Sequence, residues 1–517
     1  MSDSTQAKLL KIEAQRAQTF LFKVPRLADM DGANALLGDL FRRLLPSGLN
    51  DYLVPPALET VIANSFKAFQ GDPVGIKSEG DQSEATVLGA LDEPSMAFNS
   101  GVLVRDGGRF WGLIKSEHVE QAKIKAAQII QEHCPGLSYV FYEVDPKETD
   151  LPEETQVEEA TDLVALPCFR WADDGGDEPA VGSVKYKRPD GRDDIRHISR
   201  STETKRKARS NSNGLWDIAS LLKTGEHIPI PNNDSDSIDF TDIAAGRYLA
   251  VIHMDGNGIG QRSMDHAKYI DKHGFFEKQA KMEKFFFSMR SAMRASVVSA
   301  LNKVFKDFAD YYRLLMLGGD DVLVVCRADK ALSFVHQVAN SLQGFRLPDG
   351  NPLTIGAGIA IGKPKLPFHR LHELAEQLAS SAKRVAVDAN GHRRSAVDWL
   401  VTTSSWLDSV DAHRSRWERV RYKIEGGSEK VESQAETLLL TGKPYPFSSI
   451  SISSDALNTG ADVGEPTEPT LECLLDFAAQ LRQKFYTDQP NVEGVRSQLK
   501  HFLGELRKGR TYAELAW

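Results

Sequence analysis

The stretch that decides the fold covers residues 314–326 and has the sequence LLMLGGDDVLVVC. Two apolar runs, each too short for an independent helix and rich in Leu and Val, flank a Gly-Gly pair that permits a tight turn. This pattern predicts a β-hairpin of two buried strands with Asp320 and Asp321 at its tip. Because Asp and Gly are also ordinary turn residues, a plain surface turn stays open until the rest of the chain is considered.

A second apolar stretch, residues 247–260 with the sequence RYLAVIHMDGNGIG, also ends in an acid followed by glycines. Two strands that each deliver carboxylates at their ends can share a divalent cation. Asp255, Asp320 and Asp321 offer hard oxygen ligands, which suit Mg²⁺ or Mn²⁺ and suit zinc poorly. The glycines after Asp255 let backbone N–H groups approach an anion, and a helical pattern follows them. A divalent metal ion beside a phosphate-binding loop is the arrangement that nucleotidyl transfer requires.

Together, the motifs HMDGNGIG and LGGDD resemble the second palm domain of the large polymerase/cyclase subunit of type III CRISPR effector complexes, a relative of GGDEF-type nucleotide cyclases. The resemblance implies that Asp255, Asp320 and Asp321 are catalytic and hold Mg²⁺ or Mn²⁺. Asn257 stands where the family usually has a second acid, so it offers a carbonyl oxygen without a charge. Lys383 belongs to an Ala-Lys pair at the place where family palms set a lysine against the triphosphate. The implied nucleotide-binding residues are Gly256, Asn257, Gly258, Ile259, Gly260, Gly318, Gly319 and Lys383.

Length and composition bound the class of protein. With 517 residues, of which 41% are hydrophobic and 26% charged, the chain has the composition of a soluble protein with several domains. It lacks a long apolar run and a secretory h-region at its start, so we expect a cytoplasmic protein without membrane contact. The formal net charge of −9 argues against a protein whose whole surface coats nucleic acid. Contact with RNA would need a local basic patch or a partner.

The order of elements around the GGDD motif recurs earlier in the chain, which indicates a duplicated unit. The first copy is predicted as a strand at 19–24, a helix at 31–45, a Gly-Gly hairpin at 100–104 and 109–114, a helix at 117–133 and a strand at 137–142. Its counterpart covers 247–363, with a long helix at 275–305. A further predicted helix at 371–387 follows this unit and carries Lys383. In the first copy Arg109 and Phe110 stand where the second has Asp320 and Asp321, so we expect it to be degenerate and structural.

The predicted fold class is α+β, with two ferredoxin-like palm domains and a helical C-terminal domain. The predicted domains are 1–145 (degenerate first palm), 146–240 (acidic linker and basic inter-palm region), 241–400 (second palm with the GGDD hairpin) and 401–517 (mainly helical, with helices at 470–486 and 493–507). The four cysteines, Cys134, Cys168, Cys326 and Cys473, have no CxxC spacing. The inter-palm zinc finger of the family is therefore predicted to be lost, and a disulfide framework is not expected. The basic stretch at 185–209 is either a solvated face or a contact for RNA or a partner.

The resemblance implies an enzyme that converts ATP into cyclic oligoadenylate second messengers in antiviral defence, with guide-RNA complex subunits and target RNA as partners. Since the sequence has no His-Asp doublet, the HD nuclease activity of the family is not expected. Two alternatives remain open. One is a structural large subunit whose palm no longer turns over, which Asn257 favours. The other is a stand-alone GGDEF-like cyclase, which is weaker because Val-Leu-Val-Val rather than Glu-Phe follows the GGDD motif. Nothing in the sequence selects adenine over guanine.

Overall fold

The structure is a computed structural model. It describes residues 7–24, 26–55, 100–105, 107–146, 158–159, 170–173, 178–187, 192–211, 239–387, 393–402, 409–417, 419–423, 435–439 and 443–447. Two sheets dominate these residues, and helices pack on them, so the predicted α+β palm fold is confirmed.

The first sheet is antiparallel, with the strand order β2-β3-β1-β4-β5. Its strands are β1 (Ala7–Gln15), β2 (Val102–Val104), β3 (Arg109–Lys115), β4 (Ser138–Val144) and β5 (Glu158–Glu159). The helices α1 (Ala17–Phe22), α2 (Leu27–Asp39) and α3 (Val119–His133) cover one face, and α2 continues through a π-helical turn (Leu40–Leu44) into a short helix (Leu45–Gly48). Leu10 and Ile12 of the central strand β1 are fully buried in the resulting core.

The prediction of a strand at 19–24 is wrong. Residues 19–22 belong to the helix α1, and Lys23 is its C-cap residue. The first strand is instead β1, which precedes the predicted first copy in the chain. Charged residues that favour helices interrupt the apolar ones in β1, but pairing with β3 on one side and β4 on the other decides the conformation. The predicted hairpin, the helix predicted at 117–133 and the last strand of the first copy are confirmed as β2 with β3, α3 and β4.

The second sheet has the order β15-β12-β11-β8-β10-β9, with β11 and β12 parallel and the other neighbours antiparallel. Its strands are β8 (Leu249–Gly256), β9 (Tyr312–Gly318), β10 (Asp321–Arg327), β11 (Ile355–Gly362), β12 (Ala396–Val401) and β15 (Tyr445–Pro446). The GGDD hairpin is therefore confirmed as β9 and β10. The central four strands repeat the order of the first sheet, with β8 at the place of β1, which supports the duplication.

Helices cover both faces of the second sheet. They are α5 (Phe240–Ala244), α6 (Ile259–Tyr269), α7 (Phe275–Phe305), α8 (Ala328–Leu342) and α9 (Phe368–Arg384). On one face α7 and α8 pack on alternate strand residues such as Ile252 and Val324. On the other face α9, α5 and α2 pack on Val251 and Leu323. Because strand side chains alternate, Asp255 and Asp321 belong to the α9 face, in the same rows as Val251 and Leu323.

In the chain segment between the strands of the first sheet and those of the second, β6 (Ala180–Lys187) and β7 (Asp193–Ser199) form a hairpin that leads into α4 (Arg200–Asn211). Lys205 is only 1% exposed and donates a hydrogen bond to the Phe20 carbonyl, 2.7 Å away. Arg206 makes a two-pronged ion pair with Asp29 of α2 at 2.8 and 3.2 Å. Part of the basic stretch therefore joins α4 to α1 and α2 and is not free for RNA.

Beyond 400 the described residues contain α10 (Val410–Trp417), the paired strands β13 (Arg419–Lys423) and β14 (Ala435–Leu439), and β15. β15 extends the second sheet past the boundary predicted at 400. The predicted helices at 470–486 and 493–507 lie outside the described residues, as do Cys168 and Cys473, and the domain boundaries stay predictions. Cys134 and Cys326 are buried free thiols. Among the described helices, none has the length and apolar character needed to cross a membrane.

Candidate functional site

Three carboxylates meet at the end of β8 and the tip of the GGDD hairpin. Met254 pairs with Val322 across β8 and β10, so Asp321 is opposite Asp255 one step further along the register. Gly256 then lets Asp320 approach the strand, because a Cβ at Gly256 would lie 2.9 Å from the Cβ of Asp320. Gly319 has a φ of 61°, which glycine adopts without strain and which turns the hairpin. The structure thus brings together the three acids that the sequence analysis selected.

Burial and the neighbouring carboxylates raise the pKa of Asp320 and Asp321. Burial, followed by the charge of Asp255, raises the pKa of Asp320 to about 6. Burial, with the charges of Asp255 and Asp320, raises the pKa of Asp321 to about 8. A cluster of this kind keeps a proton at neutral pH unless a cation replaces it.

The first copy of the fold has a different pair at the matching place. Arg109, the first residue of β3, is opposite Glu13 of β1, and its guanidinium lies 3.9 Å from the Glu13 carboxylate. The first copy therefore keeps an acid, Glu13, on its first strand. The sequence analysis missed this acid because it predicted the first strand at 19–24. The Arg109 side chain of its own hairpin faces that acid, whereas the hairpin of the second copy carries carboxylates there.

The donor set of the second copy fits a hard divalent cation. Besides the three carboxylates, Asn257 is buried, and its Oδ1 has no hydrogen-bond partner among the described residues. Its Nδ2 donates to the Arg394 carbonyl at 3.1 Å and to the Thr354 hydroxyl at 3.2 Å. Because a backbone carbonyl can only accept, these bonds fix the amide and leave Oδ1 available as an oxygen ligand. Asp255, Asp320 and Asp321 would hold the Mg²⁺ or Mn²⁺ ion.

Lys383 reaches this cluster from α9 and makes an ion pair with Asp255. Gly356, which pairs with Asp255 in the sheet, makes room for it, since a Cβ at Gly356 would lie 2.5 Å from the Lys383 Cγ. The lysine predicted for the triphosphate is therefore at the end of β8 where the three carboxylates meet. Gly356 is a position of the candidate site that the sequence analysis did not select.

The glycines after Asp255 lead into the N-terminus of α6. Gly258 has a φ of 64° and is the N-cap residue, and within the described chain no side chain caps this terminus. A Cβ at Gly258 would lie 2.0 Å from Nη1 of Arg393, so the exposed Arg393 guanidinium covers this turn. The backbone N–H groups of the first helical turn and the Arg393 guanidinium together form a favourable place for phosphate. Arg393 was missed because it comes from a segment more than 130 residues away.

The structure gives less support to the other predicted nucleotide-binding positions, Ile259, Gly260 and Gly318. Ile259 is 7% exposed and packs in the core, so only its backbone N–H can serve a ligand. A Cβ at Gly260 or Gly318 would meet no described atom within 4 Å, so the structure gives no steric reason for glycine at these two positions.

We expect Mn²⁺ to bind at least about tenfold more tightly at pH 8 than at pH 6, because protons on Asp320 and Asp321 compete with the ion. Titration calorimetry in two buffers with different ionisation enthalpies measures both the affinity and the protons released. Asp265→Asn, an exposed change on α6, serves as the control and keeps the wild-type dependence. An affinity that is flat between pH 6 and pH 8 would contradict the assignment of ligands.

Comparison with known proteins agrees with the family indicated by the sequence. Residues 248–390 match the family model of the Cas10/Cmr2 second palm domain, a range that includes Asp255, the GGDD hairpin and Lys383. The recognition made from the two motifs is confirmed for this segment. No protein in a curated collection matches the chain.

Solved structures with a similar fold include an apo Csm1-Csm4 cassette, with 10% identity, a TM-score of 0.39, and coverage of 77% of this chain and 55% of that one. The Csm1-Csm4 cassette in complex with pppApApA has 11% identity, a TM-score of 0.38, and coverage of 76% and 53%. Csm1 in T. onnurineus has 13% identity, a TM-score of 0.38, and coverage of 74% and 52%. The chain spans about half the length of these chains.

Proposed function

We propose that this chain, whose residues 248–390 are a Cas10/Cmr2 second palm domain, is a metal-dependent nucleotidyltransferase that joins ATP molecules into cyclic oligoadenylates. The observation that carries the proposal is the meeting of Asp255, Asp320 and Asp321 beside the uncapped N-terminus of α6. Three adjoining carboxylates are costly to keep together unless they serve a cation, and burial with neighbouring charge raises the pKa of two of them, Asp320 and Asp321. The second messenger and the use of ATP follow from the family resemblance.

Each residue of the site has a role in this proposal. Asp255, Asp320 and Asp321 would hold Mg²⁺ or Mn²⁺, which would supply Lewis-acid activation of the attacking ribose hydroxyl and charge stabilisation for the leaving pyrophosphate. Lys383, once released from Asp255, and Arg393 contact the phosphates, as do the N–H groups at Gly258 and Ile259. The hydroxyl oxygen forms a new bond to the α-phosphorus, pyrophosphate leaves, and the hydroxyl proton passes to water. This arrangement requires the nucleotide to lie along the end of β8.

We place the chain in a type III CRISPR complex in the cytoplasm, where subunits that carry guide RNA and a paired target RNA regulate it. An enzyme that consumed ATP constantly would be harmful, and the acidic net charge leaves little surface for tight independent RNA binding. The competent state must therefore bind the activating complex better than the resting state does. By reciprocity, activation should also tighten ATP binding.

A structural subunit without turnover is the second candidate, because Asn257 lacks the charge of the usual acid and Lys383 already neutralises Asp255. The test is to incubate the full chain with labelled ATP or GTP and Mn²⁺, alone, with complex subunits, and with subunits plus target RNA. We expect adenylate products that increase with target RNA and that disappear in Asp255→Asn but persist in Asp265→Asn. Complex assembly without product under all three conditions would establish the structural role, and product from GTP by the chain alone would establish a free-standing cyclase.

A further inference from the structure

A second group of possible metal ligands lies on the same face of the sheet, one step behind the carboxylates. His253 is two residues before Asp255 on β8, so both side chains point to the α9 face, about 7 Å apart along the strand. His372 and Glu376 occupy adjacent turns of α9. One ligand atom from each of the three residues lies within 4.8 Å of the other two.

The two imidazoles are buried, and two of their nitrogens are unused. His253 and His372 are each 7% exposed. Nδ1 of His253 and Nε2 of His372 have no hydrogen-bond partner among the described residues. Buried polar atoms are almost always bonded, so two unbonded nitrogens beside a carboxylate need a physical cause.

Aromatic packing accounts for only part of this arrangement. The His372 ring stacks on Phe368 at 6.0 Å and lies 4.8 Å from the Phe22 ring, which accounts for the burial of an imidazole. It does not account for His253, whose ring meets His372 edge-on at 5.8 Å, or for Glu376, whose Oε1 lies 3.8 Å from the unused Nε2. A contact between rings alone would not require a carboxylate on the adjacent turn.

We propose that His253, His372 and Glu376 bind a divalent transition-metal ion of the zinc class, at a site separate from the aspartates. Two neutral imidazoles and one carboxylate suit zinc and its neighbours and are a poor set for Mg²⁺. Ligand atoms of a tetrahedral zinc are about 3.3 Å apart, so modest rotations of the three side chains close the present spacing. Water or a further protein oxygen completes the fourth position.

The position of this site gives the ion a structural task. It would clamp β8 to α9, the two elements that carry Asp255 and Lys383. It also adjoins α1, because Gln18 donates a hydrogen bond to Glu376 at 3.1 Å and Phe22 packs on His372. A bound ion would therefore hold in place the two side chains that contact α1, and would set the distance between the aspartates and the lysine.

The test uses the full chain and Co²⁺ as a spectroscopic probe, with Zn²⁺ as the competitor. We expect one equivalent of Co²⁺ to give the visible absorption of a four-coordinate site, to be displaced by Zn²⁺, and to resist a large excess of Mg²⁺. Glu376→Gln and His372→Gln should each lower the affinity at least about tenfold, because each removes one of three ligands. Circular dichroism of both variants without metal checks that they fold.

Two controls distinguish this site from cobalt binding at surface carboxylates or at the GGDD hairpin. Glu373→Gln changes an exposed carboxylate on the same helix and should leave the cobalt spectrum unchanged. The Asp320→Asn, Asp321→Asn double variant should also keep it, since those residues serve the other ion. A spectrum lost in the aspartate variant would assign the ion to the hairpin. Failure of folded wild-type chain to bind stoichiometric Co²⁺ or Zn²⁺ would overturn the proposal and leave the two histidines as packed aromatic rings.

Discussion

The Asp320→Asn, Asp321→Asn double variant should lose at least about 10³-fold of its nucleotidyl transfer, which corresponds to about 4 kcal/mol of transition-state stabilisation. The change removes two of the three carboxylates at the end of β8 but keeps their size and their capacity for hydrogen bonds. Initial rates of product formation with saturating Mn²⁺ and ATP, in the presence of activating partners, measure the loss. Asp265→Asn with Asp271→Asn removes the same charge from exposed positions and should keep wild-type rates.

The same double variant should be more stable than the wild type when metal is absent, and the difference should depend on pH. The folded state raises the pKa of Asp320 to about 6 and of Asp321 to about 8, so it binds more protons than the unfolded chain does. Stability from these groups is fully present below their unfolded pKa of about 4 and is lost as pH rises through the folded values. Removing them should therefore raise the melting temperature strongly at pH 8 and little at pH 4. Equal shifts at both pH values would show that repulsion between carboxylates is not the cause.

The fold of the second copy was predictable because its strands are continuous apolar runs. β8, β10 and β11 lie in the middle of a covered sheet, where nearly every side chain is buried, and such strands are evident from composition alone. β1 has the same central place but carries Lys8, Lys11 and Glu13, so its local composition favours a helix. The buried Lys11 lies over the Trp111 ring at 4.1 Å, a contact that a local sequence pattern cannot indicate.

The site was predictable as far as its residues are close in sequence. Asp255 and the GGDD pair follow from motifs, and Lys383 follows from the family resemblance. Gly356 and Arg393 were missed because their roles depend on sheet register and on the approach of a distant segment. The same limit applies to the proposed second metal site, since the spacing of His372 and Glu376 is visible in the sequence but their nearness to His253 is not.

Gly358→Ala should destabilise the chain by roughly 3 kcal/mol or more, at the upper end of the range for overpacked cores. Gly358 pairs with His253 in the sheet, and α9 crosses it so closely that a Cβ would lie 2.0 Å from the Ala375 carbonyl oxygen and 2.3 Å from the Ala379 nitrogen. Both are backbone atoms, so the helix itself must move. Urea unfolding of the metal-free chain measures the loss.

Gly356→Ala, two residues away on the same strand, is the matched comparison. Its nearest neighbour is the Lys383 Cγ at 2.5 Å, which belongs to a flexible side chain, although the Ala379 carbonyl oxygen lies at 3.0 Å. We therefore expect a smaller loss of stability, roughly 1 kcal/mol, together with a weaker affinity for ATP because Lys383 is displaced. Gly358→Ala should reduce ATP affinity only in proportion to the folded chain that remains, unless the shift of α9 also carries Lys383 away from Asp255. If the two variants lose equal stability, α9 does not approach the sheet as closely as the structure has it, and the glycines must owe their presence to another cause.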